Sequence, residues 1–454
     1  MFCGALLWLG IFAPPVFPKE GSPCLWRRVE VPKDLLSEGG WAGDLRIGDL
    51  DGDGQVDFMV FRSADEGMKP CFLGAFSLSG RVLWQDGSGG DQPVRPGPVV
   101  IHDLDGNGAA EVVCFFVDPA RKAAASLGNV VIQVRDGRSG RVLRQGAPEP
   151  LRQAAGHRSE AMVADSNWVH QRLLVANFRG TARPQDFLVK LGPTVLAFDD
   201  RLRTLWTYTI RWNEYASCSA YIPAVGDIDG DGRDEVNGGY YLLDSRGRPR
   251  WEKQLGPNMD SVAIAPWDGG KVRAFCSGGG HVVDADGRVV LRLGEKLVPH
   301  GQELRVADFT ADQPGPEMVI RRSGHTPDAM LVGNDGRVLR RFKLNPSPNN
   351  TGMEAVFWQG PDRPAALYNG GWLWHLDGEP RGAPLPGLAE PKGPAKMGWF
   401  HAVPADVCSD RREELVLYNP WDHFVWIYTP EPLRDDAFAG YRPGPKQVNV
   451  RLMD

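Results

Sequence analysis

A nine-residue acidic turn with glycine at its sixth position constrains this chain more than any other feature. It reads Asp49-x-Asp51-x-Asp53-Gly54-x-x-Asp57, then Asp103-x-Asp105-x-Asn107-Gly108-x-x-Glu111, then Asp227-x-Asp229-x-Asp231-Gly232-x-x-Glu235. Three to five carboxylates packed into nine residues repel one another unless a cation lies between them. Side chains at positions 1, 3 and 5, a backbone carbonyl at 7 and a carboxylate at 9 make an oxygen cage that suits Ca²⁺, a hard ion. An EF-hand would carry Glu at position 12 between helices. Here position 12 is Val60, Cys114 or Gly238, and the flanks are β-type. The expected unit is therefore a strand–loop–strand calcium site, with the ion clamping the turn and doing no chemistry. The turns at Asp308/Asp312 and Asp406/Asp410/Glu414 are degenerate copies.

These turns belong to a longer repeat. A short β-run ending in an acidic turn recurs at Leu45–Asp49, Val99–Asp103, Ala161–Asp165, Ile222–Asp227, Val262–Asp268, Leu304–Asp308, Ala355–Asp362 and Ala402–Asp406. Between these lies a second signal: a strand, a Gly or Asp turn, and a strand that often carries Trp. Examples are Phe76–Trp84, Val195–Trp206, Leu242–Trp251 and Trp372–Arg381, with weaker copies at Val131–Leu143 and Phe424–Tyr428. The period, roughly 40–60 residues, is that of a four-stranded propeller blade. One such sheet cannot bury both faces, whereas a ring of them can, leaving only short edges. The expected fold is all-β: one eight-bladed β-propeller over residues 23–454 with calcium-binding turns. Two β-sandwiches are the alternative, disfavoured because the repeat runs through mid-chain without a linker.

Composition narrows the function. The 55 Gly and 37 Pro make a turn-rich chain, and the net charge of −6, without a basic run, argues against nucleic acid. The seven cysteines are scattered; Cys71, Cys114 and Cys276 sit in apolar stretches and read as buried thiols. The apolar run Phe2–Ala13 has the length of a signal-peptide core, which makes residues 1–22 a candidate leader and points to a secreted or periplasmic protein. It lacks a basic flank, so a misassigned start or a buried first strand stays open. No other stretch approaches a membrane span. The chain is expected to act as a monomer.

The repeats resemble the FG-GAP (VCBS-type) repeats of integrin α-subunits and, more closely, the family 11 polysaccharide lyases, the rhamnogalacturonan lyases. Three stretches carry the resemblance: Val225–Val236 followed by Leu243-Asp244-Ser245-Arg246-Gly247; His300-Gly301-Gln302-Glu303-Leu304-Arg305-Val306-Ala307-Asp308-Phe309 running to Pro314-Gly315-Pro316-Glu317; and Phe187-Leu188-Val189-Lys190 with Trp206. Gln302 stands where the family pattern has Asp. The resemblance implies a calcium-bound eight-bladed propeller acting on an acidic polysaccharide. The extra β-domain that precedes the propeller in those lyases is not expected in this chain.

In a propeller the innermost strand of each blade lines the axis. With the acidic turns at one mouth, the residues just upstream of each innermost strand gather at the other. Those are Trp41, Arg95, His157, Tyr221, Asn258/Asp260, His300, Asn350 and His401. A uronate lyase needs a group that neutralises the C6 carboxylate, a base for the C5 proton and an acid for the leaving oxygen. Arg95, Asn258 and Asn350 suit the first role; His157, His300 or His401 the second; Tyr221 the third. Trp41, Trp212 and Trp399 could stack on sugar rings. Arg179, Arg211 and Tyr215, on long loops, are further substrate-binding candidates. A single histidine in such a position is more often a hydrogen-bonded turn residue than a base, and His300 could equally be a metal ligand. Asp260, Glu303 and Glu354 keep a glycosidase open, and a non-catalytic glycan- or protein-binding propeller is the third reading.

Overall fold

The computed structural model describes residues 21–64, 69–92, 97–117, 131–156, 173–212, 219–324, 326–344, 351–394, 398–433 and 440–449. The candidate leader's run Phe2–Ala13 lies outside them.

The described chain forms eight four-stranded antiparallel sheets. The innermost strands, in blade order, are Asp44–Gly48, Val99–His102, Leu173–Ala176, Ala224–Gly226, Val262–Pro266, Glu303–Ala307, Glu354–Val356 and His401–Ala405. Seven blades are consecutive in sequence. The eighth takes its outermost strand from the start of the described chain: Cys24–Glu30 pairs antiparallel with Phe424–Thr429.

Burial explains which residues form which strand. In blade 1 the second and third strands, Asp57–Ser63 and Pro70–Ser77, are buried at every position. Both faces of these strands meet a neighbouring blade, so they read as near-continuous apolar runs. The outermost strand of blade 3, Thr204–Thr209, alternates between exposed and half-covered positions, as an edge strand does. Eight apolar clusters sit between successive blades. One joins Val403 and Ile427 of blade 8 to Leu45 and Phe76 of blade 1; another joins Phe275 of blade 5 to Met318 of blade 6. The others fill the remaining interfaces. Because every blade shares a core with both neighbours, the ring is closed. Cys71, Cys114 and Cys276 lie in these cores, and burial pushes the thiols of Cys114 and Cys276 up to about 12.

The third blade departs from expectation. The Ala161–Asp165 signal lies outside the described residues, and the innermost strand is Leu173–Ala176. It ends at Asn177 and Arg179, so it lacks the acidic turn that marks the other blades.

The end of the described chain crosses the acidic-turn mouth. The amides of Gly440 and Tyr441 both donate to Gly54 O at 2.8 Å. A short helix, Pro445–Val448, then enters the axis. Lys446 Nζ reaches Ala355 O at 2.9 Å and Glu413, Gln447 donates to Pro404 O, and Asn449 exchanges two 2.8 Å bonds with the backbone of Val175. The axis is thereby stoppered at one mouth. Among the described residues no helix is long and apolar enough to cross a membrane.

Candidate functional site: two mouths of one ring

At the acidic-turn mouth the loops close around their own carboxylates. In blade 1, Gly52 and Gly54 have φ of 77° and 79°, a region costly for other residues, and their amides donate to Asp49 at 2.7 and 2.9 Å. The same pattern holds Asp103 in blade 2 and Asp227 in blade 4. Ligand atoms of Asp49, Asp51 and Asp53 lie within 4.8 Å of one another. So do those of Asp103, Asp105 and Glu111, of Asp227, Asp229 and Glu235, and of Asp406, Cys408 and Glu414. Each cluster could hold a metal ion. Asn107 sits on the blade 2 loop, and its Oδ1 accepts the amide of Ala109 at 2.9 Å.

The position-9 carboxylates have a second task. Asp57, Glu111 and Glu235 accept the amides of Leu50, Leu104 and Ile228 at 2.9, 2.8 and 3.2 Å. Burial pushes Asp57 and Glu235 up to about 7 and raises Glu111. Asp57 Oδ1 is buried without a hydrogen-bond partner, an arrangement that a cation would complete.

Arg179 lies at this mouth and not among the residues upstream of the strands. Its Nε meets Asp186 at 2.6 Å and its Nη2 meets Asp200 at 2.8 Å. In blade 3 a guanidinium thus supplies the positive charge that the acidic turns would take from an ion. Arg211 lies just past an outermost strand, largely exposed, 3.3 Å from Glu252.

At the opposite, upstream mouth, three consecutive blades bring Tyr221, Asp260 and His300 forward on the segments that lead into their innermost strands. His300 Nε2 lies 2.7 Å from Asp260 Oδ2, and Gln302 Nε2 donates to the same oxygen at 3.1 Å. The imidazole is about one-third exposed, 34 %, while Asp260 is largely covered. This hydrogen bond raises the pKa of His300 despite an opposing burial effect. The backbone fixes the pair: His300 N donates to Arg322 O, Gly324 N to His300 O and Gln302 N to Arg321 O. Gly301 has a packing reason, since a Cβ there would fall 2.0 Å from Ser277 O. Tyr221 is half-buried, its ring centroid 5.6 Å from the Lys190 ammonium. Asn258 precedes Asp260 on the same loop, its carbonyl beside Gly278.

Two other expected residues sit differently. His401 is fully buried, its ring 5.6 Å from that of Tyr418, so it cannot touch a substrate in this arrangement and is set aside as a base. Trp41 folds its ring over Gly39, which leaves less of it to stack on a sugar. Arg95, His157, Tyr215 and Asn350 lie outside the described residues. Glu303 is fully buried against Arg321 at 2.8 Å and caps the amide of Gly352 at 3.0 Å.

Between the mouths the axis holds a cavity of about 270 Å³, walled by the innermost strands of blades 3 to 7 and floored by Lys446 and Asn449. Arg305 and Glu354 line it. Sequence reasoning missed Arg305, although the parallel between Asp44-Leu45-Arg46-Ile47 and Glu303-Leu304-Arg305-Val306 was available to mark it as an innermost-strand arginine.

No protein-family model matches the chain. Among curated proteins it is similar to the rhamnogalacturonan endolyase YesW of Bacillus subtilis, 27% identical over 268 residues, 51% of this chain and 42% of that protein. It is similar also to the rhamnogalacturonan exolyase YesX of the same organism, 24% identical over 266 residues, 50% and 42% of the two chains. Both matches thus take in less than half of the relative's length. Among solved structures, a Bacillus licheniformis rhamnogalacturonan lyase superposes with a TM-score of 0.70 at 20% identity, over 94% of this chain and 79% of that one. The fold is therefore an eight-bladed β-propeller of the kind found in rhamnogalacturonan lyases.

Proposed function

We propose that this protein is an exported polysaccharide lyase that cleaves an acidic, uronate- and rhamnose-containing glycan by β-elimination at the upstream mouth. The observation that carries the reading is the His300–Asp260 pair, part-exposed at the mouth of a stoppered axis and braced by Gln302. In this reading Asp260 orients the imidazole through Nε2, and His300 takes the C5 proton of a uronate. The released electron pair forms the C4–C5 double bond as the C4–O bond breaks. This reading assigns to Tyr221, one blade before Asp260, the protonation of the departing oxygen. Support also comes from the two curated relatives, whose names describe rhamnogalacturonan lyases.

The carboxylates that a glycosidase would use are engaged elsewhere: Asp260 with His300, Glu303 with Arg321 and Glu354 with Arg305. That weakens the hydrolase reading. In the same proposal the acidic turns bind Ca²⁺, which when bound neutralises the clustered carboxylates and stiffens the turns; no step of the reaction passes through it. Export follows the leader-like run Phe2–Ala13.

The test is to incubate the protein with pectic rhamnogalacturonan and follow the ultraviolet absorbance of the unsaturated product. Absorbance should rise with the wild-type chain and fall by at least ~10²-fold in rate with His300→Ala. New reducing ends without absorbance would make the protein a hydrolase. Tight binding without any product would make it a glycan-binding propeller.

A further inference from the structure

The C-terminal segment meets the blade 1 turn at one residue. Gly54 N donates to Asp49 Oδ2 at 2.9 Å, and Gly54 O accepts the amides of Gly440 and Tyr441, both at 2.8 Å. The amide side of this residue thus holds a carboxylate of the acidic cluster, and its carbonyl side holds the strap of chain that runs on into the axis. The other turns of the same pattern supply a control. A Cβ on Gly54 would lie 3.5 Å from Gly440 N, whereas one on Gly108 in blade 2 or Gly232 in blade 4 would meet nothing within 4 Å. Gly440 also reaches the turn of blade 8, where the Ser409 hydroxyl donates to Gly440 O. The strap therefore crosses the joint at which blade 8 closes onto blade 1, and Tyr441 packs into the core of that joint with Leu45, Val56, Val403 and Val407.

Two buried oxygens beside this turn lack partners. Asp57 is fully buried with Oδ1 unbonded, and burial pushes its carboxyl up to about 7. Tyr441, only 3% exposed, has a buried hydroxyl without a hydrogen-bond partner. Burial, and then the charge of Asp49, hold that phenol above its usual range. Orphaned buried oxygens cost free energy unless a polar group reaches them. Basic side chains do little to relieve the turn. Among the described residues Asp49, Asp51, Asp53 and Asp57 share one ion pair, from the exposed Arg81 to Asp51 at 3.0 Å. A hydrated cation answers both needs, with opposite charge for the carboxylates and a polar partner for the phenol.

We propose that the blade 1 turn is a calcium-operated clasp for the C-terminal strap: an ion held by Asp49, Asp51, Asp53 and Asp57 keeps Gly54 turned to the strap, and its withdrawal lets residues 440–441 leave the blade 8–blade 1 joint. Without the ion, repulsion among the four carboxylates loosens the turn, and the acceptor Gly54 O moves with it. Coupling of this kind is reciprocal, so the seated strap tightens the blade 1 ion by the same factor. The clasp rests on the reading of the acidic turns as calcium sites.

Hydrogen–deuterium exchange of the full chain, read by mass spectrometry on the peptide that covers Gly440 and Tyr441, tests the clasp. These two amides should be protected in excess Ca²⁺ and should exchange at least ~10-fold faster in EGTA. Asp51→Ala should give the faster exchange even in Ca²⁺ and lower bound calcium by about one ion per chain. If Asp51→Ala fails to fold, Asp53→Ala, on an exposed side chain of the same turn, takes its place. Asp229→Ala should also lose about one ion and leave the exchange at 440–441 unchanged. In the chain ending at residue 439, the calcium site that Asp51→Ala abolishes should bind at least ~10-fold more weakly. Loss of the blade 1 ion with Gly440 and Tyr441 still protected overturns the clasp alone, as does equal release of the strap in Asp229→Ala. A wild-type chain that binds no calcium overturns the calcium reading and the clasp with it.

Discussion

His300 and Arg179 show how one partner fixes what a charged side chain is for. Asp260 favours the imidazolium, so His300 titrates above the usual histidine value of about 6.5. A base must be neutral to accept a proton. The rate kcat/KM should therefore climb with pH through that raised pKa and level off above it. In Asp260→Asn the acid limb should move to lower pH, and kcat should drop about 10- to 100-fold. A pH–rate profile that keeps its limb in place would remove His300 from the mechanism. The pair also bears on stability: its contribution is complete below the unfolded histidine value and is lost as pH rises through the folded one. Arg179 is the opposite case. It holds Asp186, which is fully buried, so Arg179→Met should cost on the order of 2 kcal/mol, read as a lower urea midpoint. Glycan affinity should not change.

The blade is the next unit, and its acidic turn carries two devices. The carboxylate that opens the second strand pins the turn through a backbone amide. Glu317 does this for Phe309, and Glu414 does it for Val407, in blades with degenerate turns. Burial lifts these two carboxyls to about 7 and about 8. The carboxylates at positions 1, 3 and 5 are the part that calls for an ion. Chelation of calcium should accordingly lower the melting temperature, and a ligand at 100 times its Kd contributes about 2.7 kcal/mol per site. Asp229→Ala should reduce bound calcium by about one ion per chain in atomic absorption and lower stability before it touches activity. An unchanged calcium content would show that the blade 4 turn is held by Arg250, which meets Asp229 at 2.5 Å. The strand order within blades was legible because the alternation of Trp-bearing hairpins and acidic turns is local. Blade 3 was not, because Asn177 and Arg179 replace the acidic marker and an acidic residue at Asp165 mimics it.

For the whole ring, stability depends on closure. Among the described residues the Cys24–Glu30 strand covers the outer side of the Phe424–Thr429 strand, so removing it exposes a buried apolar strand. A chain starting after Glu30 should lose cooperative unfolding by circular dichroism and aggregate. The C-terminal stopper is milder. A chain ending at residue 439 forfeits the bonds to Gly54, Ala355 and Val175 but keeps every blade. It should stay folded with a melting temperature lower by a few degrees.

The repeat, the blade and the acidic turns are legible locally, because each depends on residues within a few tens of positions: alternating burial, a left-handed glycine, carboxylates two residues apart. Which mouth a residue faces could be inferred as far as it followed from strand order, and that brought Tyr221, Asp260 and His300 to adjacent blades. The remaining outcomes depend on the closed ring. His401 is buried, Arg179 neutralises its own turn, and Arg305 faces a cavity while Arg46, in the same repeat position, does not. These outcomes turn on which side chain the neighbouring blade presents, and that neighbour's contribution is set by ring closure, which no local pattern records.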